Sequence, residues 1–235
     1  MMLTRTIAAG AILCVTPHLA ELRQSTTTQH DAYLSWSEER AVTVVRSMRA
    51  DGRVGGWLDT RILNTERSYN YKLRATWMTP DAIRASARLA QLAAYLSDDE
   101  TRALVAEAES AGDTVVMVEI DPREGSGVIP LDWIALLQPK HPGGQVERPV
   151  RGQSNRNLRR VKALSSGLPR EYDYDVFWVV FPLLHADGSA TLPEGTAEAE
   201  LIVRIYDKEG RVQWRIPASI SRRSLALATE RQGTG

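Results

Sequence analysis

The most unequal run of charge in this sequence lies at residues 148–162, where Arg148, Arg151, Arg156, Arg159, Arg160 and Lys162 stand with no acidic residue among them. A cationic run of this kind suits phosphate, lipid head groups or an acidic protein surface. Nucleic acid is not expected as a partner, because no aromatic residue interleaves with the arginines to stack on bases. The same residues are also what a solvated loop and edge strand would carry, since like charges discourage edge-to-edge association. Arg156, Arg159 and Arg160 are therefore the candidate surface for another protein or an anionic envelope component.

A second candidate is the loop 121–127, which places Asp121, Arg123, Glu124 and two glycines at the end of an apolar run. Glycines there let backbone N–H groups approach an anion, and Arg123 adds charge. The spacing of a phosphate-binding loop is absent, and a surface turn with a solvated charge cluster accounts for the same residues. Carboxylates need no sequence motif to act as acid and base, so a hydrolase using a pair near Asp121, Glu124 or Asp132 is the rival functional reading. Ser126 and His185 are residue types of a hydrolytic triad, but Ser126 sits in Gly-Ser-Gly rather than in a Gly-x-Ser-x-Gly elbow, and His185 precedes an ordinary turn. The spacing predicts no triad.

Metal chemistry finds little support. The chain has four histidines, and His30, His141 and His185 are far apart with no His-x-x-x-His pairing. Asp173 and Asp175 alternate with Tyr172 and Tyr174, too sparse a set of oxygens for a calcium loop. The single cysteine, Cys14, lies in the N-terminal segment; Leu13 before it argues against lipid attachment. No cofactor is expected.

The elements that position these residues follow from composition and period. The chain has 235 residues, 43% apolar and 25% charged, with Lys plus Arg equal to Asp plus Glu at 29 each. That excludes disordered and collagen-like classes, and the balanced charge gives no reason to expect a polyanionic partner for the chain as a whole. Residues 1–20 carry Arg5 as their only formal charge and an apolar run at 7–15. That is the layout of a signal peptide, too short for a membrane span of about 20 residues. Cleavage after Ala20 would leave a chain without cysteine. A membrane becomes a partner only if the segment is retained as an anchor.

Residues 21–30 are polar and read as a flexible lead segment. Leu34, Ala41, Val45 and Met48 lie at helical spacing, which predicts an amphipathic helix over 31–49 ended by Asp51 and Gly52. Tyr69, Tyr71, Leu73, Ala75 and Trp77 alternate with polar residues as in a half-buried strand. Thr79, Pro80 and Asp81 start a helix to about residue 96. Ser97 and Glu100 then match a capping box, opening a second helix that Gly112 is placed to end. Beyond it the pattern is β: 114–120, 128–137 with Pro130 at an edge or bulge, a strand at 176–183 apolar on both faces, and a hairpin over 201–216 whose turn includes Gly210. The Pro- and Gly-containing stretch 139–155 is the candidate long loop or boundary.

Together these predict a single α+β domain over 31–220 with a mostly antiparallel β-sandwich core of immunoglobulin-like character, an N-terminal helix and a two-helix insertion, followed by a loose tail at 221–235. The alternative is a mixed sheet with a βααβ crossover. The favoured function is an exported, non-catalytic protein, periplasmic or secreted, that binds another macromolecule or an envelope component. Export has a direct test: N-terminal sequencing of protein recovered outside the cytoplasm is expected to begin at or near Glu21, and a product starting at Met1 or Met2 that stays in the cytoplasm would overturn it.

Overall fold

The computed structural model describes residues 31–54, 71–122, 129, 132–165, 175–206 and 208–233. The chain divides into two compact units, Met1–Ser35 and Trp36–Gly235. Of the first, the described part is a 3-10 turn, Ala32–Ser35; the expected signal segment lies outside the described residues. The second unit is α+β, built from two antiparallel sheets and helices.

It opens with α1 (Glu38–Ser47), which Ser37 caps by accepting a hydrogen bond from the Arg40 backbone N–H. The helix is shorter than the periodicity predicts. Residues Arg49–Val54 form strand β1 instead of the expected loop around Asp51 and Gly52. The reason is tertiary: β1 pairs with β2 (Tyr71–Met78) along its length, from Arg49 opposite Thr76 to Val54 opposite Tyr71. Gly52 suits that place because a Cβ there would lie 2.7 Å from the backbone oxygen of Arg211.

Then come α2 (Pro80–Ala94), capped by Thr79, and α3 (Asp98–Glu109). The capping box is formed as expected, with Ser97 Oγ accepting from the Glu100 N–H and the Glu100 carboxylate accepting from the Ser97 N–H at 2.8 Å. The chain continues through β3 (Thr114–Pro122), β4 (Ile134–Lys140), β5 (Val150–Arg151), β6 (Gln153–Ser154), a 3-10 turn (Arg156–Arg160), α4 (Lys162–Ser165), β7 (Asp175–Phe181), β8 (Glu198–Ile205), β9 (Lys208–Arg215) and α5 (Ala218–Gly233).

The first sheet has the order β1-β2-β3-β7-β6 and the second β5-β4-β8-β9. Every strand pairing is antiparallel, so the mixed sheet of the alternative is not what forms, although two helices do connect β2 to β3. One buried cluster draws on both sheets: Leu73, Trp77, Val118 and Phe181 from the first, Leu137, Leu201, Val203 and Val212 from the second. Trp77 and Trp214 meet with ring centroids 5.6 Å apart, and the Tyr71 hydroxyl donates to the Val203 carbonyl at 2.8 Å. The other face of the first sheet carries Met78, Met117 and Trp178 at matching register, toward α2 and α4. A smaller cluster of Ala41, Val45 and Ala85 joins α1 to α2.

Three expectations need correction. The β8–β9 turn is two residues, because Ile205 pairs with Lys208; Tyr206 takes the left-handed conformation at φ 54°, while Gly210 lies in β9 opposite Val203. The C-terminal residues are not a loose tail: α5 runs to Gly233, with Ile220, Ser224 and Ala228 buried at helical spacing. Ser224 Oγ donates to the Leu183 carbonyl and accepts from the Leu192 N–H, which satisfies a buried hydroxyl twice. Finally, of the long loop or boundary expected at 139–155, residues 141–149 form a loop, and the stretch that follows is where the chain changes sheet. β5 pairs with β4 in the second sheet and β6 with β7 in the first, and Gly152 alone separates them.

The Gly152 N–H donates to the Ala135 carbonyl at 3.0 Å. A Cβ there would overlap Val179 Cγ1 and lie 2.6 Å from Phe181 Cε1. Gly152→Ala is expected to destabilise the protein by about 1–3 kcal/mol through overpacking, read as a lower denaturant midpoint with an unchanged slope; an unchanged midpoint would show that the crossing can widen freely.

Candidate functional site

The chain leaves β6 through Asn155, whose side-chain oxygen accepts the Asn157 N–H and so caps the 3-10 turn Arg156–Arg160. In a 3-10 turn, side chains three apart eclipse one another. Leu158 and Val161 share one side and are buried; Arg156 and Arg159 share another and line a common cleft. Arg156, Arg159 and Arg160 are exposed. Salt bridges found elsewhere in the molecule engage none of the three with a described residue.

The cleft measures about 360 Å³ and is walled by Asn155, Arg156 and Arg159 on one side and by Asp175, Phe177 and Trp178 of β7 on the other. Its β7 wall is held from behind. The Trp178 indole N–H donates to the Leu164 carbonyl at 3.3 Å, and Phe177 packs edge-on against Trp133 with centroids 5.0 Å apart. Among the described residues, two guanidiniums stand against the single Asp175 carboxylate, an excess of positive charge. Its size is in the range of ligand-binding clefts.

A second cleft, about 390 Å³, lies among Ile83, Arg84, Glu109, Asp113, Ile220 and Arg223. Three of its four charges are engaged within the fold, while Arg223 forms no ion pair with a described residue. Arg84 reaches Asp81 at 3.5 Å and Glu109 at 3.3 Å, and Asp113 accepts the Leu183 N–H at 3.1 Å. A chamber of about 20 Å³ behind Trp178, lined by Arg49, Ser86, Glu119 and Ser165, has room for little more than one water.

The carboxylates proposed for acid–base work are not brought together among the described residues. Asp121 ends β3 with its carboxylate 3.9 Å from Lys72 Nζ, Asp132 is exposed in a turn, and neither lines these clefts. Arg123, Glu124 and Ser126 lie outside the described residues. Glu39, Glu100, Asp187 and Glu209 titrate below the ordinary carboxylate range, opposite to the shift a general acid needs at neutral pH. His141 pairs with Glu147 at 2.5 Å, and no group of three metal-ligating side chains occurs among the described residues.

Two charged features escaped the sequence reading. Glu119 is buried in the middle of β3, on the helix-facing side opposite Arg74. The outer face of the second sheet carries a chain of ion pairs: Lys140 and Arg211 reach the buried Glu200 at 3.0 and 2.6 Å, and Arg211 and Arg204 reach Glu209 at 2.5 and 2.6 Å. The alternation in β8 and β9 was the available signal, since it places Glu200, Arg204, Glu209 and Arg211 on one face. No family model matches the chain, and no curated protein or solved structure matches it significantly.

The ion chain has a pH signature. The hydrogen bond from Arg204 is the largest influence holding Glu209 below the usual carboxylate range, with Arg211 acting in the same sense. The ionised, paired form therefore persists at ordinary pH and is lost as pH falls through that lowered value. Arg204→Ala is expected to move the Glu209 titration, followed by carboxyl-carbon NMR, upward toward the ordinary carboxylate range; no movement would show that Arg204 does not govern it.

Proposed function

We propose that the protein is an exported, non-catalytic binding protein that recognises an acidic macromolecule through the cleft between the Arg156–Arg160 turn and β7. The observation that carries this reading is the pairing state of the cations. Arg74, Arg84, Arg102, Arg204 and Arg211 are engaged by the protein's own carboxylates, whereas Arg156 and Arg159 line a ligand-sized cleft, Arg160 follows on the same turn, and none of the three has such an ion pair to a described residue. Exposed guanidiniums on a pinned turn offer charge-assisted, two-pronged hydrogen bonds to carboxylates. Export rests on the N-terminal apolar run alone.

The finer fold reading belongs to the same proposal. We read the two sheets as a sandwich of immunoglobulin-like character, supported by the one buried cluster they share and by the Trp77–Trp214 contact. A sandwich with such a core provides a rigid frame on which a recognition edge is displayed.

The test replaces all three arginines with glutamine and measures binding of fluorescent poly-glutamate across a salt series. Affinity is expected to fall roughly tenfold or more, with a flatter salt dependence, while folding stability changes by about 0.5 kcal/mol or less. Unaltered binding together with a lower melting temperature would show instead that the arginines serve the fold.

A further inference from the structure

β7 is paired along its whole length on one side and along only part of it on the other. Its residues Asp175–Phe181 face β3 from Ile120 to Thr114. On the opposite side β6 covers only Val179 and Val180, and the last backbone hydrogen bond is the Asn155 N–H donating to the Trp178 carbonyl at 2.9 Å, beyond which the 3-10 turn packs on β7 with no further ladder bond among the described residues. There the chain turns off into the 3-10 turn. Successive residues of a strand direct their backbone groups to alternate edges. Since the Trp178 carbonyl faces β6, the N–H and carbonyl of Val176 face the same way, into the lane that β6 has vacated. No strand among the described residues lies in that lane; the arginine cleft does.

We infer that this lane accepts an extended acidic peptide segment of a partner protein, which adds to the first sheet beside β7 while Arg156 and Arg159 pair with its carboxylates. The inference rests on the binding function proposed above and names the form its partner takes. Strand addition to an open edge takes affinity from main-chain hydrogen bonds and specificity from side-chain contacts. Both are available here, from the Val176 backbone on one wall and from two guanidiniums on the other. At about 3.3 Å per residue, the stretch from Asp175 to Trp178 accommodates a segment of roughly three to four residues. The charge selects it: the walls bear Arg156 and Arg159 against Asp175, so a basic strand is repelled and an acidic one attracted. Phe177, half-buried at the mouth, gives an apolar side chain of the segment a surface to pack on.

The experiment measures fluorescence anisotropy of the full chain with labelled Glu-Val-Glu-Val-Glu, the same peptide N-methylated at its valines, the same N-methylated at its glutamates, and Lys-Val-Lys-Val-Lys. The acidic parent is expected to bind and the basic peptide not to. Because only alternate amides of an added strand face β7, one N-methylated form is expected to bind roughly tenfold more weakly than the other. Val176→Pro, which removes the N–H facing the lane, is expected to weaken the parent by a similar factor, and Asp175→Asn to tighten it. Should Val176→Pro fail to fold, the two N-methylated peptides decide alone. Equal affinity of all three acidic peptides would overturn strand addition and leave the arginine reading standing. Absence of salt-dependent binding by both poly-glutamate and the peptides would overturn both, as would binding to phosphatidylglycerol vesicles without binding to any acidic peptide.

Discussion

Gly152 is where the chain passes from one sheet to the other in a single residue. Its neighbours pair with different strands, Val150 with Leu137 and Ser154 with Val179, and its own N–H is held by Ala135. A side chain at this crossing would stand where Val179 and Phe181 already pack. Interiors are close-packed, so the crossing is narrow only because this residue has no side chain. The consequences run outward from it. β5 and β6, on either side of it, are two residues each. Among the described residues the short β6 leaves β7 without a neighbouring strand toward Asp175, and the turn that follows carries Arg156 and Arg159 to that side.

The remaining edges are handled differently. β9, at the edge of the second sheet, places Glu209, Arg211, Gln213 and Arg215 on its outer face, where Arg211 and Glu209 are tied to β8 by ion pairs. β1, at the edge of the first sheet, brings Asp51 to Arg74 at 2.7 Å. Exposed pairs of this kind add little stability individually. Their effect is to pair most of these charges inside the fold, Arg211 with Glu200 and Glu209, Arg204 with Glu209, and Arg74 with Asp51. The Arg156–Arg160 turn lacks such partners among the described residues, and in a chain of balanced charge that local excess is what distinguishes it.

Much of this was legible from local pattern. The capping box at Ser97, the Thr79-Pro80 start and the alternation of β2 and β8 are encoded in a few adjacent residues, and each appears where the spacing put it. What was not legible depends on distant partners. β1 has no strand signature in Arg-Ala-Asp-Gly-Arg-Val; it is a strand because β2 offers a ladder and Gly52 lets β9 approach. α5 hides its buried stripe because one member is Ser224, a polar residue whose two hydrogen-bond partners lie at Leu183 and Leu192. The Tyr206 turn was misplaced for a related reason. Glycine is the usual occupant of a left-handed position, so Gly210 drew the turn toward itself, but the register of the two strands fixed the turn at Tyr206. The cationic candidate was visible from composition alone, yet its split into Arg156 and Arg159 on the cleft and Arg160 apart follows from the 3-10 period, which the run of arginines does not announce.

An open strand edge beside apolar residues is an aggregation hazard, and the same geometry decides how it is contained. Two copies of this chain meeting β7 to β7, with strands about 5 Å apart, would bring the Arg156 and Arg159 guanidiniums of each copy near the same seam. Like charges so placed repel most where water is partly excluded, as in a cleft walled by Phe177 and Trp178. Asp175 offsets only one of the two cations on each copy. Under the proposed strand addition, the charges that would favour an acidic strand also disfavour self-pairing, so one arrangement of residues would both protect the edge and select what it admits. Lysines would repel as well but would lack the planar fork that fixes a carboxylate in two hydrogen bonds. The edge needs both properties, and arginine supplies them together.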